Sequence, residues 1–263
     1  MRERNELLRA YQDEEDRLLA ARALDKVTMA EKNWSVELGD FCDPAQAGVI
    51  RDLIRRRSGE GSVAFWGGYP DAERTRPAFA RADQPVESDD YEIMALRLQC
   101  LWTETVLTHR DYLGAILALG IKREKIGDLI VDSEGCTLIA TREIGVYLIN
   151  NLTQVHRASV AVSTVGFEQL ADYKPPCDEK SVVVASLRLD AVAAAAFGLS
   201  RSEMVREIEG RKIKLNWKEC VSVAQEIELG DVLSMRGQGR AIVRAIGGET
   251  KKGRVRLTIA RPK

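Results

Sequence analysis

The feature that most restricts the fold is the order of hydrophobic patterns across residues 76–165. "YEIMALRLQ" (91–99) has the apolar run of a strand. "HRDYLGAILALG" follows with helical spacing and a stop signal at Gly120. "KIGDLIVD" and "GCTLIAT" read as two strands joined by a polar turn at 132–135. "REIGVYLINNL" is a second helix and "RASVAVSTV" a last strand. The order β-α-β-β-α-β suits one sheet with two helices on one face.

That arrangement is ferredoxin-like. RNA-recognition domains share it, and so do many unrelated proteins. The aromatic-rich strands typical of RNA-recognition domains are not evident in this stretch, so the order alone does not establish RNA binding. Before it, residues 1–75 read as mainly helical. Asp43 stands as an N-cap, Pro44 as the first helical residue and Gly59 beyond the last turn, with Arg55, Arg56 and Arg57 suited to the helix C-terminus. Val63 to Trp66 read as a short strand. Gly67 and Gly68 then punctuate a turn, and the spacing of a phosphate loop is absent. After the middle region, "EQLADYKPPCDEKS" breaks the pattern at Pro175-Pro176. The expected class is α+β: a helical region at 1–75, a ferredoxin-like domain at 76–167, a linker at 168–181 and a third domain at 182–263.

Charge separates that third domain from the rest. Residues 181–263 carry 16 Lys and Arg against 9 Asp and Glu, whereas residues 1–180 carry 23 against 31. A basic block on an acidic body points to a polyanion as partner of the block. Within it, "LSRSEMVREIEGRKIKLN" changes period. Ser200 and Glu203 form a capping box. Met204, Val205 and Ile208 make the buried helical stripe, Gly210 ends the helix, and Ile213 and Leu215 alternate inward against Lys212 and Lys214 outward. Arg206 points away from the core. Arg201, in the first turn, either helps the free N–H groups bind a phosphate or pairs locally with Glu203 or Asp190. Upstream, Leu189, Val192 and Ala196 form the core face of a preceding helix. Downstream, "CVSVA", "VLSMRGQGR", "AIVRAI" and "RVRLTIA" read as strands.

Taken in order, R-L-D, then S-R-S, then I-x-x-x-x-I-x-L-N, then G-D-x-L-S-x-R-G-x-G-R over residues 185–245 resemble the S4 (alpha-L) RNA-binding domain. The resemblance implies that two short helices and the following hairpin bind structured RNA. The matching positions are Arg188, Ser200, Arg201, Arg206, Lys212, Lys214, Asn216, Arg236 and Arg240. Two positions depart from the pattern: Arg211 stands where the family has Gly, and the Asn-Gly turn is Asn216-Trp217. Trp217 reads either as a base-stacking ring or as a packed surface side chain. Ahead of that domain, "FWGGYPDAERTR", "HRDYLGAILALGIKREKIGD" and "REIGVYLINNL" resemble the YlmH family of bacterial RNA-binding proteins. That likeness implies binding to rRNA or tRNA on the large ribosomal subunit, with a role in quality control of stalled peptidyl-tRNA.

Catalysis finds less support. Arg188-Leu189-Asp190 lacks the downstream context of a pseudouridine synthase, so Asp190 reads as structural. Gly237-Gln238-Gly239 is too short for a nucleotide loop. His109 and His156 join no nucleophile constellation, and His109 reads as a helix-start residue. The expected protein is not an enzyme and uses no cofactor or metal. An S4-containing RNA-modifying enzyme and an RNA-anchored protein adaptor are the alternatives. Five scattered cysteines suggest reduced thiols. A charged start and no long apolar run suggest a cytoplasmic protein without membrane or small-molecule partners.

Overall fold

The computed structural model describes residues 2–57, 59–102, 106–174, 177–250 and 253–262. The chain is mixed α and β, with antiparallel sheets, and divides into two units, Met1–Tyr173 and Lys174–Lys263.

The first unit begins with helices α1 (Arg2–Arg9), α2 (Glu14–Asn33) and α3 (Pro44–Arg56). Local chemistry starts α2 and α3. Asp13 Oδ1 accepts from the Asp16 N–H at 2.9 Å. Asp43 and Gln46 form a reciprocal box of 2.9 and 3.0 Å, with Pro44 at the first helical position where no N–H is needed. Ala20, Ala23, Leu24, Val27 and Ala30 of α2 pack on Ile50 and Leu53 of α3 and on Phe79. A small sheet completes this layer: β1 (Glu37–Leu38), β2 (Gly61–Trp66) and β3 (Arg76–Arg81), in the order β1-β3-β2. Residues 76–81, expected to open the central domain, are thus the middle strand of this sheet. The reason is two-sided burial: Phe79 enters the helical core while Ala78 enters the next one.

The central layer contains β4 (Ile93–Trp102), α4 (His109–Ala118), β5 (Ile126–Val131), β6 (Gly135–Thr141), α5 (Arg142–Asn151), β7 (Gln154–Val155) and β8 (Ala158–Val165). Its strands lie in the order β5-β6-β4-β8-β7. Period-2 alternation divides the side chains between two faces. Leu96, Leu98, Leu138 and Ala140 meet Tyr112 and Ile116 of α4 and Leu148 of α5. Ile93, Ala95, Ile130 and Ile139 face the other way, onto Phe41, Tyr69, Ala78 and Leu170. The loop after β2 is fastened there by Asp128, which accepts from the Tyr69 hydroxyl at 2.8 Å and from the N–H groups of Glu73 and Arg74 at 2.7 and 3.1 Å. Arg74 also donates to the carbonyls of Ile126 and Phe41, each at 3.0 Å. Much of the sheet face opposite the helices is therefore already covered.

The second unit holds β9 (Cys177–Val184), α6 (Leu189–Phe197), α7 (Arg201–Glu209), β10 (Ile213–Leu215), β11 (Lys218–Glu219), β12 (Val232–Met235), β13 (Gly239–Glu249) and β14 (Val255–Pro262). The sheet order is β11-β10-β12-β13-β14-β9. Leu189, Val192, Phe197, Met204 and Ile208 of the two helices pack on Ile213, Leu233, Val243, Leu257 and Ile259 of the sheet.

Three expectations change here. Residues 177–181 are no linker; they belong to β9, which pairs with β14 from Cys177 opposite Pro262 to Val184 opposite Val255. The expected break at Pro175-Pro176 lies outside the described residues. "CVSVA" (220–224) forms no strand, because the carbonyls of Val223 and Gln225 receive the N–H groups of Asp190 and Leu189 at the start of α6, at 3.2 and 2.8 Å. "VLSMRGQGR" is interrupted at Met235 by a turn through Gly237, whose φ is 83°.

Candidate RNA-binding surface

The basic residues of the second unit fall into two groups. The first surrounds an open concavity of about 730 Å³ between the end of α7 and the hairpin ends of β10, β12 and β13. Arg211, Lys212, Lys214, Arg236 and Arg240 line it, with Glu219 as the acidic member. Cross-strand register explains the convergence. Lys214 lies opposite Ser234, and Ser234 lies opposite Arg240, so the side chains of β10, β12 and β13 share one face. Lys214 and Arg236 are exposed. Lys212 is held by Glu207, its ammonium lying 3.0 and 2.9 Å from the two carboxylate oxygens. Arg211 approaches Glu219 only at 3.9 Å.

The second group is built on Asp190, in the first turn of α6. Arg188 Nε donates to its Oδ1 at 3.3 Å and Arg201 Nε to its Oδ2 at 2.7 Å. Burial alone would push this carboxyl up, but hydrogen bonds from Arg201 and Arg188 outweigh it, and the group titrates below the usual carboxylate range. Of the two readings of Arg201, the structure shows the local pair, and with Asp190 rather than Glu203. The N-terminus of α7 carries a capping box. Ser200 Oγ accepts from the Glu203 N–H at 3.2 Å, and Glu203 Oε2 accepts from the Ser200 N–H at 2.9 Å.

Other candidate residues have different surroundings. The Ser200 hydroxyl is engaged in that cap. The Asn216 amide is engaged in the fold: Nδ2 donates to Asp231 at 2.8 Å and Oδ1 accepts from the Val232 N–H at 3.0 Å. Arg206 is exposed on the last turn of α7 and does not line the concavity.

Arg211 was absent from the candidates, and the departure from glycine was its sequence signal. It holds φ at 56° just past α7, the position that glycine favours, while Gly210 keeps an ordinary φ of −75°. Asn216 and Trp217, at 49° and 67°, form the two-residue turn between β10 and β11. Trp217 is half-buried.

Comparison with known proteins bears on the whole chain. Residues 15–84 match the family model described as "YlmH, N-terminal", and residues 86–169 match "Putative RNA-binding domain in YlmH". The chain belongs to the YlmH family. A relative in Bacillus subtilis (strain 168), named ribosome-associated protein quality control protein P2, is 30% identical over 249 residues, spanning 95% of this chain and 96% of that protein. The solved structure of the cell division protein ylmH from Streptococcus pneumoniae shares the fold at a TM-score of 0.54. It is 19% identical and covers 62% of this chain and 98% of its own. RNA binding and ribosome association are thus properties attached to this family's domains and relatives. Among the described residues no helix is long and apolar enough to cross a membrane.

Proposed function

We propose that this YlmH-family protein is a non-catalytic RNA-binding factor that anchors on structured rRNA or tRNA of the large ribosomal subunit and acts in quality control of stalled peptidyl-tRNA. The observation that carries this reading is the convergence of Arg211, Lys212, Lys214, Arg236 and Arg240 on one concavity of the basic second unit. Phosphates are the natural occupants of such a surface, because each one neutralised releases counterions. The two short helices followed by a hairpin support an S4 reading of residues 174–263. The strand order of the central layer supports a ferredoxin-like one. With part of the face opposite its helices covered, the central layer is read as contributing shape-based contacts.

The non-catalytic reading is supported by the chemistry of the nucleophile candidates. Burial pushes the Cys42 thiol up to about 11 and Cys136 further, the reverse of an activated cysteine. The name of the Bacillus relative supports the ribosomal setting. The test is sedimentation of the protein with ribosomes at low and high salt, with sequencing of crosslinked RNA. Salt-sensitive migration with the large subunit and crosslinks to defined rRNA or tRNA segments are expected. Migration as free protein, crosslinked to a non-ribosomal RNA, overturns the proposal.

A further inference from the structure

Asp190 is a charged side chain almost wholly withdrawn from water, at 2% exposure. Each of its oxygens receives a different arginine, and each arginine uses the same atom. Arg188 donates Nε at 3.3 Å and Arg201 donates Nε at 2.7 Å. Oδ1 also accepts from the Ala191 N–H at 3.0 Å. The carboxylate itself cannot drift, because the backbone around it is pinned to the carbonyls of Gln225 and Val223.

The two guanidiniums differ from the carboxylate in exposure: the Arg188 and Arg201 side chains are 43% and 52% exposed. Among the described residues neither has an acceptor on its Nη atoms. A guanidinium offers a planar fork of five N–H groups, and fixing it by Nε leaves the Nη groups for a second acceptor. A buried carboxylate beneath two cations gives little net stability for its desolvation cost. It does fix the two forks next to each other.

We propose that Asp190 is a positioning residue for RNA: it holds Arg188 and Arg201 by their Nε atoms so that their Nη groups together clamp one phosphate. This inference rests on the RNA-binding reading of the second unit and adds to it a mechanism with an unusual sign. By charge alone, removing a carboxylate beside a polyanion site strengthens binding. By positioning, removing it releases both forks and weakens binding. Lysine distinguishes the two further. An ammonium is a point charge without separate edges, so a lysine that satisfies Asp190 is poorly placed to present a directed fork to a phosphate.

The experiment titrates labelled full-length protein with purified large ribosomal subunits across a salt series, with circular dichroism and thermal unfolding of each variant. Asp190→Asn is expected to weaken binding tenfold or more and to make the log–log salt dependence shallower by about 0.7 to 0.9, the value of one phosphate. Arg188→Lys with Arg201→Lys, at unchanged charge, is expected to behave alike, and it decides the matter if Asp190→Asn does not fold. Binding by the double lysine variant at wild-type affinity and slope overturns the clamp. So does equal or tighter binding by a folded Asp190→Asn. The trough variant Lys214→Ala with Arg236→Ala separates the two levels of argument. If it loses affinity while the Asp190 and lysine variants do not, the clamp alone fails. If all of them bind as wild type, RNA binding through this unit fails with it.

Discussion

Arg211 and Trp217 hold backbone conformations, at φ 56° and 67°, that cost an L-residue about 1–2 kcal/mol and cost glycine almost nothing. The neighbouring Gly210 does not use its freedom, so the strain falls on a side chain lining the basic concavity. Arg211→Gly is expected to raise stability by about 0.5–1 kcal/mol, after allowing for the greater entropy of glycine in the unfolded chain, and to weaken RNA binding severalfold. Thermal melts and a binding titration on the same samples check both signs; a variant that binds as wild type assigns no role to the arginine. Asp190 supplies a second prediction. Its carboxyl titrates below the unfolded value of about 3.9, so its contribution is complete above that value and is lost as pH falls through the folded one. The second unit should weaken below about pH 4, and Asp190→Asn should flatten that part of the acid-unfolding curve. An unchanged curve means that the arginines do not stabilise the ionised carboxyl.

Apolar patterning made β4, β5, β6 and β8 legible in the sequence, and local start signals did the same for two helices. Asp43 and Pro44 open α3, and Ser200 with Glu203 opens α7, because a cap is a contact between residues close in the chain. β9 was not legible. Its partner β14 lies some seventy residues later, and Asp178, Glu179, Lys180 and Ser181 are exposed, so no alternation marks it. "CVSVA" has the alternation and no strand, because the carbonyls of its Val223 and of the following Gln225 serve the start of α6. The same distinction applies to the site. Lys212, Lys214, Arg236 and Arg240 of the concavity stood among the candidates and Arg211 did not, while the fold engages Ser200 and Asn216 in a cap and a turn. For α7 this gives a clean expectation. Ser200→Ala should cost about 1 kcal/mol of stability and leave the salt dependence of RNA binding unchanged. Denaturant titration and binding at three salt concentrations test it, and a shallower salt dependence would return the hydroxyl to the interface.

At the scale of the molecule, charge follows the division into units. Lys174–Lys263 carries 18 Lys and Arg against 11 Asp and Glu, and Met1–Tyr173 carries 21 against 29. Each unit has its own buried core, so each is expected to fold when produced alone. The functional consequence follows from the sign of each field. A net-negative unit is repelled by RNA at long range, so on the proposed function its contacts are expected to contribute little salt-dependent affinity. On the proposed function the basic unit is the one that neutralises phosphates, and it should retain most of the salt slope without its companion. Titrating large ribosomal subunits with 174–263, with 1–173 and with the full chain, each across a salt series, measures this directly. The expected result is a slope for 174–263 close to that of the full chain, with a weaker absolute affinity because the shape-dependent contacts are gone. A slope for 1–173 equal to that of the full chain would move the phosphate contacts into the acidic unit, and the concavity at Lys214 and Arg236 would then need another occupant.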